Sequence, residues 1–244
     1  MMVYAILLGK GPAGTARWYG NVDRPDLGCR WLLLERMTGV GLCEIGDVAR
    51  WAASARWVAK LHCGFADQVD ALCDSEVPLL VHDDAWLRRW ADRALVHRRP
   101  TAQRDRAVRR VHECVDALCD RLSMLPLTLV HGEFYASNVI VSGPSAALRV
   151  APVDWEMAAL APALTDLAAL TSGDLDESMR TEIELAYCEA AGRMVDEAFA
   201  AELDLCRLAQ CIQWIGWMPG WQPPAWHDHD WLREAVILME RLSL

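Results

Sequence analysis

The stretch LVHGEFYASNVIV (residues 129–141) carries the clearest structural signal in this sequence. Short β-rich runs stand before His131 and after Asn138, and a compact polar loop separates them. Glu133 and Asn138 lie at the two ends of that loop. The sequence therefore predicts a loop in which a carboxylate and a carboxamide converge between two short strands.

A second acidic group follows on the next predicted strand. The runs 138–141 and 148–154 flank SGPS (residues 142–145), which favours a turn, so we expect an antiparallel hairpin. Asp154 then stands at the open end of this hairpin, beside Asn138. Amide and carboxylate oxygens suit Mg²⁺, and a further carboxylate can orient and deprotonate an attacking hydroxyl. This set of groups indicates phosphoryl transfer.

The two motifs also resemble those of a known family. HGExxxxN at 131–138 together with VDWE at 153–156 resembles the paired motifs of the aminoglycoside phosphotransferase and choline kinase family. Their protein-kinase relatives carry His-Arg-Asp, four residues and Asn, followed by Asp-Phe-Gly, in the same roles. The resemblance covers most of the chain from about Tyr4 onward. It implies an α+β, protein-kinase-like fold with a reduced N-terminal lobe and a mainly helical C-terminal lobe.

The resemblance implies a role for each motif residue. Glu133 would deprotonate the acceptor hydroxyl, and Asn138 and Asp154 would hold Mg²⁺ on the phosphates of ATP or GTP. His131 would hold the loop by hydrogen bonds, with at most a minor part in proton transfer. Glu156 would ligate or brace the metal loop, although a solvated or helix-capping carboxylate explains it equally well. The acceptor would be a small molecule such as an aminoglycoside, an amino sugar, a choline-like alcohol or a biosynthetic intermediate.

Two further segments extend the resemblance. Residues 31–39 resemble the hinge strand that offers backbone groups to adenine. Nucleotide binding would then involve Leu34, Glu35 and Met37. After the metal loop the family carries an aspartate, here Asp166, which would brace the catalytic loop through its backbone. A helix N-cap explains Asp166 about as well.

Two features depart from the family pattern. Glu133 stands where Asp is usual, which moves the carboxylate outward by roughly one bond length and can lower the rate. Because the flanking motif is retained, we interpret Glu133 as a variant of an active loop. The chain before the hinge is too short for the usual five-stranded nucleotide lobe. Its two lysines are Lys10, in a Gly- and Pro-rich turn, and Lys60, within a predicted helix, and neither matches the family's strand lysine.

We therefore expect two parts in the chain. Residues 1–38 would form a remnant nucleotide lobe and hinge, and residues 39–244 the helical lobe with the catalytic loop and hairpin. The alternative function is a catalytically inactive kinase-like module that binds a small molecule in the same cleft. A longer native product, of which this chain starts at an internal Met, is also compatible with the opening Met1-Met2.

Composition limits the classes of partner that we expect for this protein. The 244 residues carry a net charge of −10, which argues against nucleic acid and suits a cationic small molecule. No apolar run reaches the roughly 20 residues of a membrane span. Nine scattered cysteines without CxxC spacing favour reduced thiols and a cytoplasmic location. Nothing in the sequence indicates an oligomeric state.

Hydrophobic periodicity predicts the remaining elements. Asp47 is a plausible N-cap for a helix that ends near Gly64, and one helix should span 104–122. The strand 30–35 is almost continuously apolar, which predicts burial on both faces. Further helices are expected at 84–96, 165–170, 177–192, 196–217 and 231–242.

Two C-terminal features allow more than one interpretation. The tryptophans of this region could line a substrate pocket, although near-helical spacing favours a core role. They are Trp214, Trp217, Trp221, Trp226 and Trp231. HDHD at 227–230 could bind a metal, but a surface loop in which Asp230 caps the last helix is the favoured interpretation.

Overall fold

The computed structural model describes residues 3–9, 14–96, 101–144, 147–217 and 229–244. Its architecture is α+β, with a helical majority and small sheets. The strands are β1 Trp18–Arg24, β2 Cys29–Leu34, β3 Val40–Gly41, β4 Leu80–Val81, β5 Leu127–Val130, β6 Val139–Ser142, β7 Arg149–Pro152 and β8 Ala159–Pro162. The helices are α1 Val48–Phe65, α2 Val69–Cys73, α3 Asp84–Val96, α4 Ala102–Glu113, α5 Val115–Leu122, α6 Leu164–Leu170, α7 Glu177–Ala191, α8 Glu197–Trp217 and α9 Trp231–Leu242.

Most predicted helices are confirmed. Asp47 caps α1, because its carboxylate accepts the Ala49 N–H at 3.0 Å. The single helix predicted over 104–122 is wrong in one respect, since the chain forms α4 and α5 with a break at Cys114. The apolar stripe nevertheless continues across the break, and Val108 and Leu118 are both buried in one helical cluster. That cluster joins α3, α4, α5, α8 and α9.

Two three-stranded sheets carry the centre of the molecule. β6 and β7 form the predicted antiparallel hairpin, with β3 added at the free edge of β6. In the other sheet β8 lies between β4, to which it is parallel, and β5, to which it is antiparallel. The sequence did not indicate β8, because its residues Ala-Leu-Ala-Pro are poor strand formers and only their complete burial selects this conformation.

The expectation that the strand at 30–35 is buried on both faces is wrong. Among the described residues β2 pairs only with β1, and Trp31 and Leu33 remain 46% and 43% exposed. The Arg24 guanidinium lies over the Trp31 ring, 4.7 Å from its centroid. A continuous apolar run becomes buried only where layers cover both of its faces, and the described part of the chain supplies no such layers here.

The N-terminal residues pack into the main core. Val3–Leu7 forms a π-helical turn whose Val3, Tyr4 and Leu7 are buried together with residues of α1 and the β6–β7 hairpin. Because these residues share one core with later segments, packing does not mark a division of the chain, and the domain boundary near residue 38 stays a prediction. None of the helices in the described ranges is long and apolar enough to cross a membrane.

Candidate active site

The loop after β5 approaches the loop after β7 closely, and a glycine makes this possible. Gly132 has a φ of +84°, which favours glycine, and a Cβ placed on it would lie 2.1 Å from the Met157 carbonyl oxygen. His131 and Gly132 thus follow the buried strand with little freedom to move. The segment that carries Glu133 is pressed against the segment that carries Asp154.

Asp166 holds the start of this loop through its buried carboxylate. Its carboxylate is fully buried and accepts the backbone N–H groups of His131, at 2.7 Å, and Gly132, at 2.9 Å. His62 Nε2 lies 3.0 Å from the same carboxylate, and His62 Nδ1 lies 2.9 Å from the Tyr187 hydroxyl. Burial opposes ionisation, but the hydrogen bonds from His62 and from the His131 backbone N–H hold the pKa of Asp166 below its usual value.

The same contacts bear on the N-cap alternative for Asp166. The N-cap of α6 is Ala163, and α6 has no side-chain cap, so the Asp166 carboxylate serves the loop and not the helix end. No role was predicted for the His62 side chain or for Tyr187, since their partners lie more than a hundred residues away along the chain.

Both ring nitrogens of His131 are engaged within the loop. Nε2 donates to the Val153 carbonyl at 2.9 Å, and Nδ1 accepts the Glu133 N–H at 3.3 Å. Burial lowers the pKa of His131, so that the ring stays neutral. The side chain therefore joins the loop to the hairpin and presents no nitrogen to a substrate.

Glu133 shares its space with two other carboxylates. Its side chain is half-buried, and burial, followed by the charges of Asp154 and Glu156, raises its pKa to about 7. A carboxyl group with a pKa near neutrality is suited to accept a proton from a reacting hydroxyl. Glu156 is exposed and does not cap the short turn that follows Asp154.

Asn138 and Asp154 lie on the two neighbouring chain segments at the open end of the hairpin. The Asn138 carbonyl accepts the Val153 N–H at 2.9 Å, and its side-chain Nδ2 donates to the Glu133 carbonyl at 3.0 Å. Because Nδ2 points toward the Glu133 carbonyl, the amide oxygen Oδ1 points away from it. Asp154 is exposed and has a φ of 64°, an unusual backbone conformation for a residue with a side chain.

The oxygen donors of Asn138 and Asp154 fit a magnesium ion whose remaining ligands come from water and substrate. Within the described ranges no three His, Cys, Asp or Glu side chains are grouped as a metal site. Mg²⁺ is commonly held by one or two protein oxygens together with water and substrate phosphates. The Asn138 Oδ1 and the Asp154 carboxylate supply oxygens of this kind.

The hinge is tied to the hairpin by an arginine. Arg149 binds both carboxylate oxygens of Glu35 at 2.8 Å and donates to the carbonyls of Gly14 and Thr15 at 3.0 and 3.1 Å. The Arg149 hydrogen bonds, with that of the Arg17 N–H, lower the pKa of Glu35 to about 2. The Glu35 side chain is thus committed to this contact.

The other hinge residues have different surroundings. Leu34 and Met37 are half-buried and pack against the main core. The Glu35 N–H is also occupied, because it donates to the Arg17 carbonyl at 2.7 Å.

Removal of the arginine should loosen the hinge. For Arg149→Ala we expect a loss of about 1–2 kcal/mol in the free energy of unfolding, since a bidentate, half-exposed pair and two carbonyl contacts disappear. Denaturant unfolding measures this loss. The control is Arg56→Ala, which removes an exposed pair with Glu189 and should cost less than about 0.5 kcal/mol. Equal losses in the two variants would contradict the role of Arg149.

Several C-terminal predictions fall partly outside the described residues. Asp230 caps α9 through the Arg233 N–H, which confirms the capping interpretation. It also binds Arg104 in a bidentate pair. Trp214 donates to the Tyr135 hydroxyl at 2.8 Å and stacks on Trp231. Among the predicted residues, Lys10, Trp221, Trp226, His227 and Asp228 lie outside the described part of the chain.

The small sheets, the hairpin and the helical majority agree with the kinase-like α+β fold of small-molecule phosphotransferases. The chain belongs to the phosphotransferase enzyme family, whose model matches residues 4–203. The predicted fold class and family resemblance are confirmed.

Solved structures share the fold at low sequence identity. A choline/ethanolamine kinase family protein from Mesorhizobium loti is 16% identical, with 99% of this chain and 74% of that chain covered and a TM-score of 0.59. The aminoglycoside phosphotransferase APH(2")-IIIa in complex with GDP and kanamycin is 14% identical, with 98% and 79% covered and a TM-score of 0.68. The choline kinase of Streptococcus pneumoniae is 14% identical, with 97% and 75% covered and a TM-score of 0.61. No curated protein sequence matches this chain.

Proposed function

We propose that this protein transfers the γ-phosphoryl group of ATP or GTP to a hydroxyl group of a small molecule, with Mg²⁺ as cofactor. One observation carries the proposal: the Asn138 side chain donates to the Glu133 carbonyl, while the nearby charge of Asp154 acts on the Glu133 carboxylate. Related folds are described with GDP and kanamycin, or as choline kinases, which fits this reaction class. Family membership supports the same chemistry.

In the proposed step the acceptor hydroxyl lies at the Glu133 carboxylate. The acceptor oxygen forms a bond to the γ-phosphorus while the bond from that phosphorus to the β,γ-bridging oxygen breaks, which releases a nucleoside diphosphate. The hydroxyl proton passes to Glu133 and then to solvent. His131 and Asp166 keep the Glu133 segment in place through the contacts described above.

The metal would be held by Asn138 and Asp154, with Glu156 near enough to brace the loop. When bound, Mg²⁺ neutralises charge on the phosphate oxygens and fixes their position. The nucleotide base would lie at the hinge, against Leu34 and Met37, with the Glu35 carbonyl as a backbone partner. We also propose that residues 1–38 form the nucleotide side of this cleft, and residues 39–244 the acceptor side.

Titration calorimetry with ATP and GTP, with and without Mg²⁺, tests the proposal. For Asp154→Ala we expect magnesium-dependent affinity to fall by roughly tenfold or more, about 1.4 kcal/mol, because half of the protein's oxygen donors are lost. Asp67→Ala, which removes an exposed carboxylate after α1, is the matched control and should bind as wild type.

A second candidate is a kinase-derived binding module that transfers no phosphate. It is favoured by the placement of Lys60, which is exposed on α1 and cannot act as the strand lysine of a kinase. Absence of nucleotide binding under every condition would support this module and overturn the phosphotransferase proposal.

A further inference from the structure

A cavity opens directly behind the catalytic loop. It lies between α3, α5, α6 and α8 and has a volume of about 210 Å³. Gly132 and Tyr135, the neighbours of Glu133 on the loop, form part of its wall. Ala169 and Ala209 line it from two helices, and their small side chains leave much of the space free. A volume of this order suits a small organic molecule with one or two rings.

Three polar nitrogen atoms of residues in the wall lack partners. The His82 Nε2, the Trp86 Nε1 and the Gln210 Nε2 are buried and have no hydrogen-bond partner among the described residues. Gln210 is only 7% exposed. A buried polar group without a partner destabilises the fold, so three of them in one cavity point to a ligand that satisfies them.

The His82 ring is placed to receive a flat neutral group. It stacks on Trp86 with centroids 3.9 Å apart and an interplanar angle of 17°. Burial lowers the pKa of His82 to about 4, despite the opposing charges of Asp166 and Asp83, so the ring is neutral at physiological pH. A neutral imidazole nitrogen can donate or accept one hydrogen bond.

Carboxylates are scarce in the cavity wall. Of the described residues that line it, Asp83 and Asp84 are the acidic ones, and both are exposed at the start of α3. One oxygen of the Asp83 carboxylate accepts the Trp86 N–H at 2.8 Å. An amino sugar with several ammonium groups would find no buried counter-charge in this wall.

We propose that the cavity binds the apolar, uncharged body of the phosphate acceptor, an aromatic or alicyclic alcohol with a second polar group that hydrogen-bonds to His82. This inference rests on the proposed function for its use in catalysis, but ligand binding can be measured without it. The ring would lie between the helices, and its hydroxyl would pass Tyr135 toward Glu133. Trp214 holds the Tyr135 hydroxyl at 2.8 Å, which fixes this side of the passage.

Calorimetry without nucleotide tests binding, with three probes: indole-3-ethanol, 2-phenylethanol and kanamycin. Both aryl alcohols should bind with a Kd of about 1 mM or below, as expected for ligands of this size, and kanamycin should not displace them. Ala209→Phe fills the cavity and should weaken both by roughly tenfold or more. Ala200→Phe, on the exposed face of the same helix, is the control and should have no effect.

His82→Phe separates the polar contact from cavity shape. It keeps a flat ring beside Trp86 and should weaken indole-3-ethanol by about fivefold to tenfold, because the indole N–H loses its acceptor. The affinity for 2-phenylethanol, which has no second polar group, should not change. Equal effects of this variant on the two alcohols would overturn the assigned polar contact.

Separate titrations distinguish the two proposals. Nucleotide binding without any binding of the aryl alcohols, or displacement of these alcohols by kanamycin, overturns the cavity assignment and leaves the phosphotransferase proposal intact. Binding of the alcohols in the cavity without nucleotide binding supports the assignment and overturns the phosphotransferase proposal.

Discussion

Glu133→Gln is expected to lower kcat by about 10²- to 10⁴-fold, the usual contribution of a positioned general base. The amide has nearly the same shape as the carboxyl group but cannot accept the proton of the acceptor hydroxyl. Nucleotide affinity should change little, because Asn138 and Asp154 remain in place. Steady-state kinetics with an alcohol that the wild type phosphorylates, together with nucleotide calorimetry, measures the two effects separately.

The pH dependence of the same residue gives a second readout. Burial and the charges of Asp154 and Glu156 raise the pKa of Glu133 to about 7, so wild-type kcat/KM should increase as pH rises through this value. The stability effect has the opposite sign. A carboxyl group whose pKa is raised by folding destabilises the fold as pH rises from its ordinary pKa to the raised one. Glu133→Gln removes this effect and should unfold at no lower temperature than wild type at pH 8.

Two variants complete the test of Glu133. Glu133→Asp restores a carboxylate one methylene shorter and should recover part of the activity that Glu133→Gln loses. Glu182→Gln, on the exposed face of α7, should retain full activity. A wild-type kcat in Glu133→Gln would exclude Glu133 as the base.

The residues of the candidate site could be identified from the sequence where they lie close together along the chain. The loop from His131 to Asn138 and the hairpin that ends at Asp154 span few residues, and turn chemistry alone brings their polar groups together. The hydrogen bond from the Asn138 side chain to the Glu133 carbonyl joins positions five residues apart. Local patterns predict such contacts well because few alternative pairings compete.

Contacts between distant segments were not accessible in this way. The Glu35 and Arg149 pair joins positions 114 residues apart, and charge alone offered many other partners for either residue. His82 showed no periodicity or motif, and its importance appears only from the cavity that it lines. The prediction that β2 is buried was wrong for a related reason. A run of apolar residues indicates a preference for burial but not the presence of layers that cover it.

Asp166 shows how one buried carboxylate connects these distant parts to the chemistry. It lies on α6, receives two backbone N–H groups of the catalytic loop, and meets His62 from α1. His62 in turn meets Tyr187 from α7. Because α1 and α7 pack along each other, the position of Glu133 depends on the packing of the helical lobe.

Asp166→Ala should therefore destabilise the protein by about 3–5 kcal/mol, because two N–H groups and His62 lose a fully buried partner. Denaturant unfolding at neutral pH measures the loss, and Asp67→Ala is the exposed control. If the variant folds, kcat should fall along with stability, since the loop start is no longer held. A loss below about 1 kcal/mol would contradict the bracing role.

The acid limb of unfolding provides the sharper distinction for Asp166. Its pKa is lowered in the folded state, so the stabilisation that it provides is present above its unfolded pKa of about 3.9 and is lost as pH falls toward the folded value. Wild type should lose this increment on acidification, whereas Asp166→Asn, which cannot titrate, should show a flatter stability profile below about pH 4. Parallel profiles for the two proteins would mean that the carboxylate is not held in its charged form, and its two N–H contacts would then be too weak to position the loop.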